Sequence, residues 1–351
     1  MIQKAMIHNF MGFSSFENPI PFPKITVIVG KNDTCKTGLL KLLYATGKAN
    51  ELFISKEQHN KNINYKRILS EKFYNVFQPR KSGLGDLVKK ESNDKLTTSI
   101  FFENNVSVDF SFGETTKTEI QNIQYNIPLS NNKNYLFIPA KEVLTAFNAI
   151  KAISNIHHYP GFDETYMDLI NSLDVPTSKD QLAENLEDAK QILIKLFDGE
   201  LMQVDSTDRF IFKKSNTEFS MQLTAEGIKR IGILTTLLKN KQLTENTVLF
   251  MDEPETCLHP GAIREMINLL SVLTKSGIQL FLTTHNYFVL KQLYIIAQRE
   301  KQDILCCSLE KEEEDIKSSF YNLKEIFPQN SIVEETLKMY DEEIKLNLGL
   351  Q

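Results

Sequence analysis

No run of this 351-residue chain approaches the roughly 20 apolar residues that a membrane span requires. The longest apolar runs, such as Ile25–Gly30 and Ile278–Leu282, are strand-sized. The opening MIQKAMIHNFMGF lacks the long apolar core and small-residue cleavage site of a signal peptide. Cysteine is scarce. The four present show no C-x-x-C spacing, which argues against a disulfide framework and for a reducing cytosol. The adjacent Cys306 and Cys307 lie in the apolar run Ile304 to Leu309 and read as core packing. Neither sign of charge dominates: 40 basic residues face 45 acidic ones, so the total marks no dedicated nucleic-acid binder. A local basic patch can still hide inside that balance, but most of the positive charge is lysine, which suits a solvated surface better than bidentate phosphate clamps. Internal repeats, long low-complexity stretches and the sustained heptads of a coiled-coil arm are also missing. A cytoplasmic protein without a membrane partner is expected.

What is present is patterned. Hydrophobic residues at 41% and charged residues at 24% match soluble globular averages, enough for one large α/β domain or two modest ones. Ile25–Val29 reads as a strand buried on both faces. Lys36–Gly47 reads as a helix with Leu39, Leu40 and Leu43 on its buried face and Gly47 as a stop. Residues 51–95 are polar and carry no clear pattern. Leu96–Phe112 predicts a β-hairpin about Glu103-Asn104-Asn105, and Tyr135–Ile138 predicts a strand. Residues 142–200 look mainly helical, with Ser178 as a cap, and a second hairpin is expected about Ser215-Asn216. From Thr224 onward strands and helices alternate: helix, strand 247–252, helix 261–276, strand 278–284, helix 287–299, strand 303–309. That alternation implies a parallel sheet with covered faces. Ser331–Leu348 reads as an amphipathic helix, and the acidic run Glu310–Asp315 as a solvated loop.

Three motifs carry chemistry. Gly30-Lys31-Asn32-Asp33-Thr34-Cys35-Lys36-Thr37, running into Gly38, follows a buried strand and opens a helix, the context of a phosphate-binding P-loop. Its N–H groups would cradle phosphates, Lys36 would reach the β and γ phosphates, and the Thr37 hydroxyl would ligate Mg²⁺. Cys35 stands where a glycine is expected, which strains the loop or weakens nucleotide binding. The second motif, Thr247 to Glu255, is an apolar strand that delivers Asp252 and Glu253 to the sheet's carboxyl edge, where ligands of open α/β sheets bind. Asp252 would hold the metal shell and Glu253 would polarise the attacking water. The third, Thr283-Thr284-His285-Asn286, follows the strand Ile278–Leu282 and places His285 to sense a γ-phosphate.

A P-loop, then D-E-P-E with L-H-P, then T-T-H, resembles the ABC-type ATPase heads, a class that includes SMC proteins and double-strand-break-repair ATPases. In style the chain is similar to bacterial AAA family ATPases of the OLD type and of anti-phage systems such as PARIS and Septu. Asn9-Phe10 before the P-loop strand resembles their opening strand. The resemblance covers residues 1–48 and 209–310 well and the middle loosely. It implies a P-loop NTPase of α/β class: a mixed central sheet flanked by helices, an antiparallel β subdomain and a helical insertion. The chain would be one ABC-type ATPase domain, split into an N-terminal lobe over 1–78, an insertion over 79–222 and a C-terminal lobe over 223–351.

The resemblance further implies a signature loop that caps a partner's ATP, matched by Leu223 to Arg230, with Glu226, Gly227 and Lys229 (or Arg230) facing the nucleotide. A plain helix start is the bland alternative. Gln78 resembles a Q-loop glutamine that touches Mg²⁺, and His259 falls where transport relatives carry a seam aspartate or, equally, serves the turn before Pro260. ATP and Mg²⁺ are the implied cofactors. The implied partners are a second copy, in a head-to-tail sandwich dimer or higher oligomer, and a separately encoded toxin or nuclease effector, because no strand-terminal D-x-D of a fused nuclease follows His285. A DNA-clamping ATPase of SMC style and a degenerate nucleotide-binding scaffold remain as alternatives.

Overall fold

The structure, a computed structural model, describes residues 1–16, 19–58, 63–80, 83–129, 133–152, 162–176, 184–197, 199–203, 210–313 and 315–348. The chain opens with β1 (Ile2–Phe10), β2 (Phe13–Ser15), β3 (Ile20–Pro21) and β4 (Ile25–Gly30), then α1 (Lys36–Glu57) and α2 (Tyr65–Phe77). A meander follows, β5 (Leu96–Phe102), β6 (Ser107–Phe112) and β7 (Asn122–Asn126), then β8 (Asn134–Ile138). Next come α3 (Phe147–Ala152), α4 (Glu164–Asp174), α5 (Glu184–Phe197), and the strands β9 (Glu200–Gln203), β10 (Phe210–Lys214) and β11 (Thr217–Ser220). The last third alternates: α6 (Glu226–Lys239), β12 (Thr247–Asp252), α7 (Pro260–Lys275), β13 (Gln279–Thr284), α8 (Tyr287–Glu300), β14 (Ile304–Glu312), β15 (Asp315–Asn322), α9 (Ser331–Asn347).

Strands apolar at every position must be covered on both faces. β4, β12 and β13 are buried throughout and form the middle of the parallel stretch of a 12-stranded sheet. Along it run β7-β6-β5-β1-β2-β15-β14-β4-β13-β12-β8, with β3 paired to β1. The stretch from β14 to β8 is parallel, whereas β1, β5, β6 and β7 pair antiparallel. β9, β10 and β11 form a separate antiparallel sheet. This is the mixed, helix-flanked α/β architecture of an ABC-type P-loop head, with the antiparallel β and helical parts that the resemblance implied.

The pleat sends alternate residues of one strand into two cores. Leu249 and Met251 of β12 join the core under α4 to α8, while Val248 and Phe250 join the core under α1 and α2. Cys306 and Cys307 likewise enter opposite cores, as packing residues. Phe137, Phe250 and Phe281 stack across three neighbouring strands at 6.4 and 5.1 Å, and Tyr44 of α1 sits edge-on against the first two.

Several expectations need correction. α1 does not stop at Gly47 but runs on to Glu57. A Cβ at Gly47 would fall 2.2 Å from the Tyr135 ring, so this glycine serves close packing on β8 rather than termination. The patternless stretch 51–95 contains the end of α1 and all of α2. Lys72, buried between Glu164 and Asp168, interrupts the apolar face of α2 that Ile68, Leu69, Phe73 and Val76 make. The acidic run is a strand hairpin, β14 into β15, whose tip residues Lys311, Glu312 and Glu313 are exposed. Ser178, the expected cap, lies outside the described residues.

Candidate active site

The parallel strands β4, β12 and β13 end side by side, so the residues that follow them converge. After β4 the chain needs a glycine: a Cβ at Gly30 would lie 2.4 Å from the Leu309 carbonyl oxygen. The loop then turns through two left-handed residues, Asp33 (φ 64°) and Cys35 (φ 58°). Cys35 therefore holds the conformation that a glycine adopts freely and an L-residue adopts at a cost of roughly 1–2 kcal/mol. Its side chain packs on the core beside Met11 and Gly12, and burial raises its thiol pKa, keeping it neutral.

The loop is closed by its own side chains. Thr34 Oγ1 donates to the Lys31 carbonyl (2.8 Å), and the Lys36 ammonium donates to the carbonyls of Gly30 (2.9 Å) and Lys31 (2.6 Å). Burial lowers the Lys36 pKa, and the fields of Glu253, Asp252 and Glu255 oppose that shift. Among the described residues, Leu39 is the first of α1 whose N–H finds a backbone acceptor, the Cys35 carbonyl at 2.9 Å. The N–H groups of Lys36, Thr37 and Gly38 therefore remain as donors at a helix N-terminus, the ordinary cradle of a phosphate.

Facing the loop, Asp252 at the end of β12 accepts from Thr37 Oγ1 with both oxygens (2.9 and 3.1 Å) and from Thr283 Oγ1 (2.6 Å). Burial pushes the Asp252 carboxyl up, against those two hydroxyls, which pull it down. The next residue, Glu253, takes a left-handed φ of 46°, and its N–H donates to Thr283 Oγ1 at 3.1 Å. Its Oε1 lies 2.9 Å from His285 Nδ1. Asn32 to Gly38, Met11 and Glu253 line one cleft of about 350 Å³. The structure thus brings together Gly30, Asn32, Asp33, Thr34, Cys35, Lys36, Thr37, Gly38, Asp252, Glu253 and His285. Thr37 and Asp252 offer adjacent hard oxygens suited to Mg²⁺, beside unpaired N–H donors suited to phosphate, so the residues present fit a magnesium nucleotide.

Other expected residues lie elsewhere. Gln78 ends α2 in a left-handed conformation and donates its Nε2 to the Phe162 carbonyl at 3.0 Å; no bond to Thr37 or Asp252 joins it among the described residues. His259 caps α7, its Nδ1 accepting from the Gly261 N–H at 3.1 Å, the turn role of the two weighed. The segment from Leu223 does open a helix, with Ala225 exposed at the N-cap and Leu223 79% exposed. Glu226 and Gly227 sit partly exposed in its first turn. Lys229 is a correction. Its ammonium is buried against Glu226 (2.7 Å), Glu142 (3.6 Å) and Thr145 (2.8 Å), and does not face outward. Arg230 is buried too and donates to the Ala140 carbonyl. Lys229 shares a helix face with Glu226 one turn earlier, and Glu142 and Thr145 cover that face at its depth.

Two residues of the third motif were given no role by the sequence reading. Thr283 bonds the side chain of Asp252 and the backbone of Glu253, and Thr284 bonds Glu255. Their signal was the paired hydroxyls ending an otherwise apolar strand, where hydroxyls on both faces suggest polar partners on both sides.

The sequence and the fold have counterparts. The family described as "AAA domain, putative AbiEii toxin, Type IV TA system" matches residues 25–291. No curated protein matches. Among solved structures, an Smc head bound to the C-winged helix domain of ScpA is similar at 13% identity and TM-score 0.57, covering 92% of this chain and 98% of that one. An Smc head with an extended coiled coil, bound to the C-terminal domain of ScpA from Pyrococcus furiosus, is similar at 11% identity and TM-score 0.53, covering 98% and 99%. With the P-loop, the Asp-Glu strand and the histidine all inside the matched stretch, the chain belongs to this AAA-domain family and carries it on the ABC-type ATPase fold of Smc heads.

Proposed function

We propose that the chain is an ATP-hydrolysing switch that closes as a head-to-tail dimer, each P-loop capped by the α6 start of the other copy. The observation that carries this reading is the cleft lined by Lys36, Thr37 and Glu253, with Thr37 bonded to Asp252 and Glu253 paired to His285. Lys36 and the free N–H groups of the loop hold phosphate oxygens. Thr37 and Asp252 hold the metal, which when bound neutralises charge developing on the transferred phosphoryl group. Glu253 accepts a proton from the attacking water, with its carboxylate oriented by the His285 ring. Among the described residues of a single copy, none closes over this cleft. The exposed α6 N-terminus, with its dipole and the apolar Leu223, suits that role from a neighbouring copy.

Closing and opening would hold or release a separately encoded effector, a toxin or nuclease, in a defence system. The family description, which names a putative toxin of a toxin–antitoxin system, supports that setting. ATP-strengthened, salt-sensitive DNA binding would instead favour DNA clamping.

Ala225→Asp tests the trans role. Aspartate is a far better N-cap than alanine and should stabilise α6 by about 1 kcal/mol, yet it places negative charge where a phosphate would arrive. A protein with raised Tm that no longer dimerises with ATP supports the proposal. One that dimerises as wild type contradicts it.

A further inference from the structure

The loop after β12 sends two carboxylates to two consecutive residues, the last of β13 and the first after it. Glu253 meets His285; Glu255 accepts from Thr284 Oγ1 at 2.5 Å. Thr284 Oγ1 in turn accepts the Asn286 N–H at 2.9 Å, and Asn286 Oδ1 caps α8 by accepting the Phe288 N–H at 2.8 Å. The backbone on both sides of His285 is therefore anchored to Glu255 through one hydroxyl. Glu255 is 5% exposed and Thr284 fully buried, whereas the His285 side chain is about half exposed. The ring has little packing to hold it at Glu253 and depends on its backbone.

A buried carboxylate is costly where a neutral amide would serve as acceptor, and Glu255 Oε2 has no partner among the described residues. Burial pushes the Glu255 carboxyl up, opposed by the Thr284 bond and by His285.

We propose that Glu255 is a positioning residue that fixes the His285 turn through Thr284, so that the imidazole stays aligned on Glu253. The inference deepens the nucleotide-site reading above and rests on it. It assigns Glu255 no contact with nucleotide; the residue acts through Thr284, Asn286 and the backbone they hold.

The test uses the full chain with Glu255→Ala, Glu255→Gln, Thr284→Val and Thr284→Ser. Three quantities are read: affinity for a fluorescent ATP analogue, hydrolysis rate, and the His285 ring signals in nucleotide-free protein, assigned by their loss in His285→Asn. Glu255→Ala and Thr284→Val should lower kcat by about tenfold or more, with analogue affinity within about twofold, because misalignment rather than binding is lost. Both should shift the His285 signals. Thr284→Ser and Glu255→Gln, which keep a donor and an acceptor, should restore most of the rate and the wild-type signals. Glu255→Ala and Thr284→Val that lower Tm but leave kcat and the His285 signals unchanged would overturn the proposal. So would an inactive Glu255→Gln with unmoved His285 signals, since the charge would then act on the reaction itself. A wild-type chain that hydrolyses nothing would sink the nucleotide-site reading instead, while the ring signals still decide the positioning claim.

Discussion

On one half of the large sheet β14, β4, β13, β12 and β8 run parallel and finish together; on the other, β1, β5, β6 and β7 run antiparallel and finish at alternating edges. Apart from Met11, which follows β1, every residue of the candidate site that follows a strand follows a parallel one. Parallel pairing stacks equivalent strand ends, so Gly30, Asp252 and Thr284 arrive within reach of one another although far apart in sequence. Antiparallel pairing sends successive ends apart and leaves one face half solvated, as the alternating burial of β5 and the exposure of β7 show. One half positions chemistry, and the other contributes core.

That division can be broken or sharpened. The largest effect should come from Glu253→Gln, with hydrolysis down about 10²–10⁴-fold at unchanged Tm, measured by phosphate release. Phe110→Ala, in the core of the antiparallel half against Phe73 at 5.2 Å, should cost about 3–5 kcal/mol in a denaturant titration. The rate per folded molecule should stay that of wild type, and a collapse of kcat would show that the halves are not separable. At Cys35 the effects are smaller and opposite in sign. Valine, stiff and β-branched in a left-handed position, should lose about 1–2 kcal/mol, while glycine should gain up to about 1 kcal/mol despite the lost sulfur packing. Calorimetry of the nucleotide-free proteins decides between them.

The smallest effect is a pH dependence. Asp252 binds its proton more tightly folded than unfolded, because burial raises its pKa. The folded state is therefore favoured by this group below the ordinary carboxylate range, and that advantage is lost as pH rises through the raised folded value. Asp252→Asn should raise the nucleotide-free Tm at neutral pH and much less in mild acid. Mg²⁺–ATP should stabilise wild type but not this variant. An Asn variant whose Tm gain is the same at both pH values would contradict the assigned burial cost.

The same division explains what was legible in the sequence. Strand runs such as Val248–Met251 are apolar without break, so the parallel half and its terminal carboxylates stood out. α2 did not, because Lys72 sits on its buried face with its charge matched by Glu164 and Asp168, partners about 90 residues later. β15 was hidden because its residues Asp315 to Asn322 are mostly polar and take their place from β14. Within the site, the residues that contact phosphate in such motifs could be named from order alone. Thr283 and Thr284 could not be ranked above other hydroxyls, since their partners are fixed by the register of β12 against β13. Lys229 was read as outward because its depth depends on Glu142, more than 80 residues away.

The central claim is the closed dimer, and sedimentation velocity of Glu253→Gln with and without ATP–Mg²⁺ tests it most directly. The account predicts a monomer without nucleotide and a dimer or higher multiple with it, reverting when Ala225→Asp is added. A protein that binds ATP yet sediments as a monomer in both conditions would contradict it.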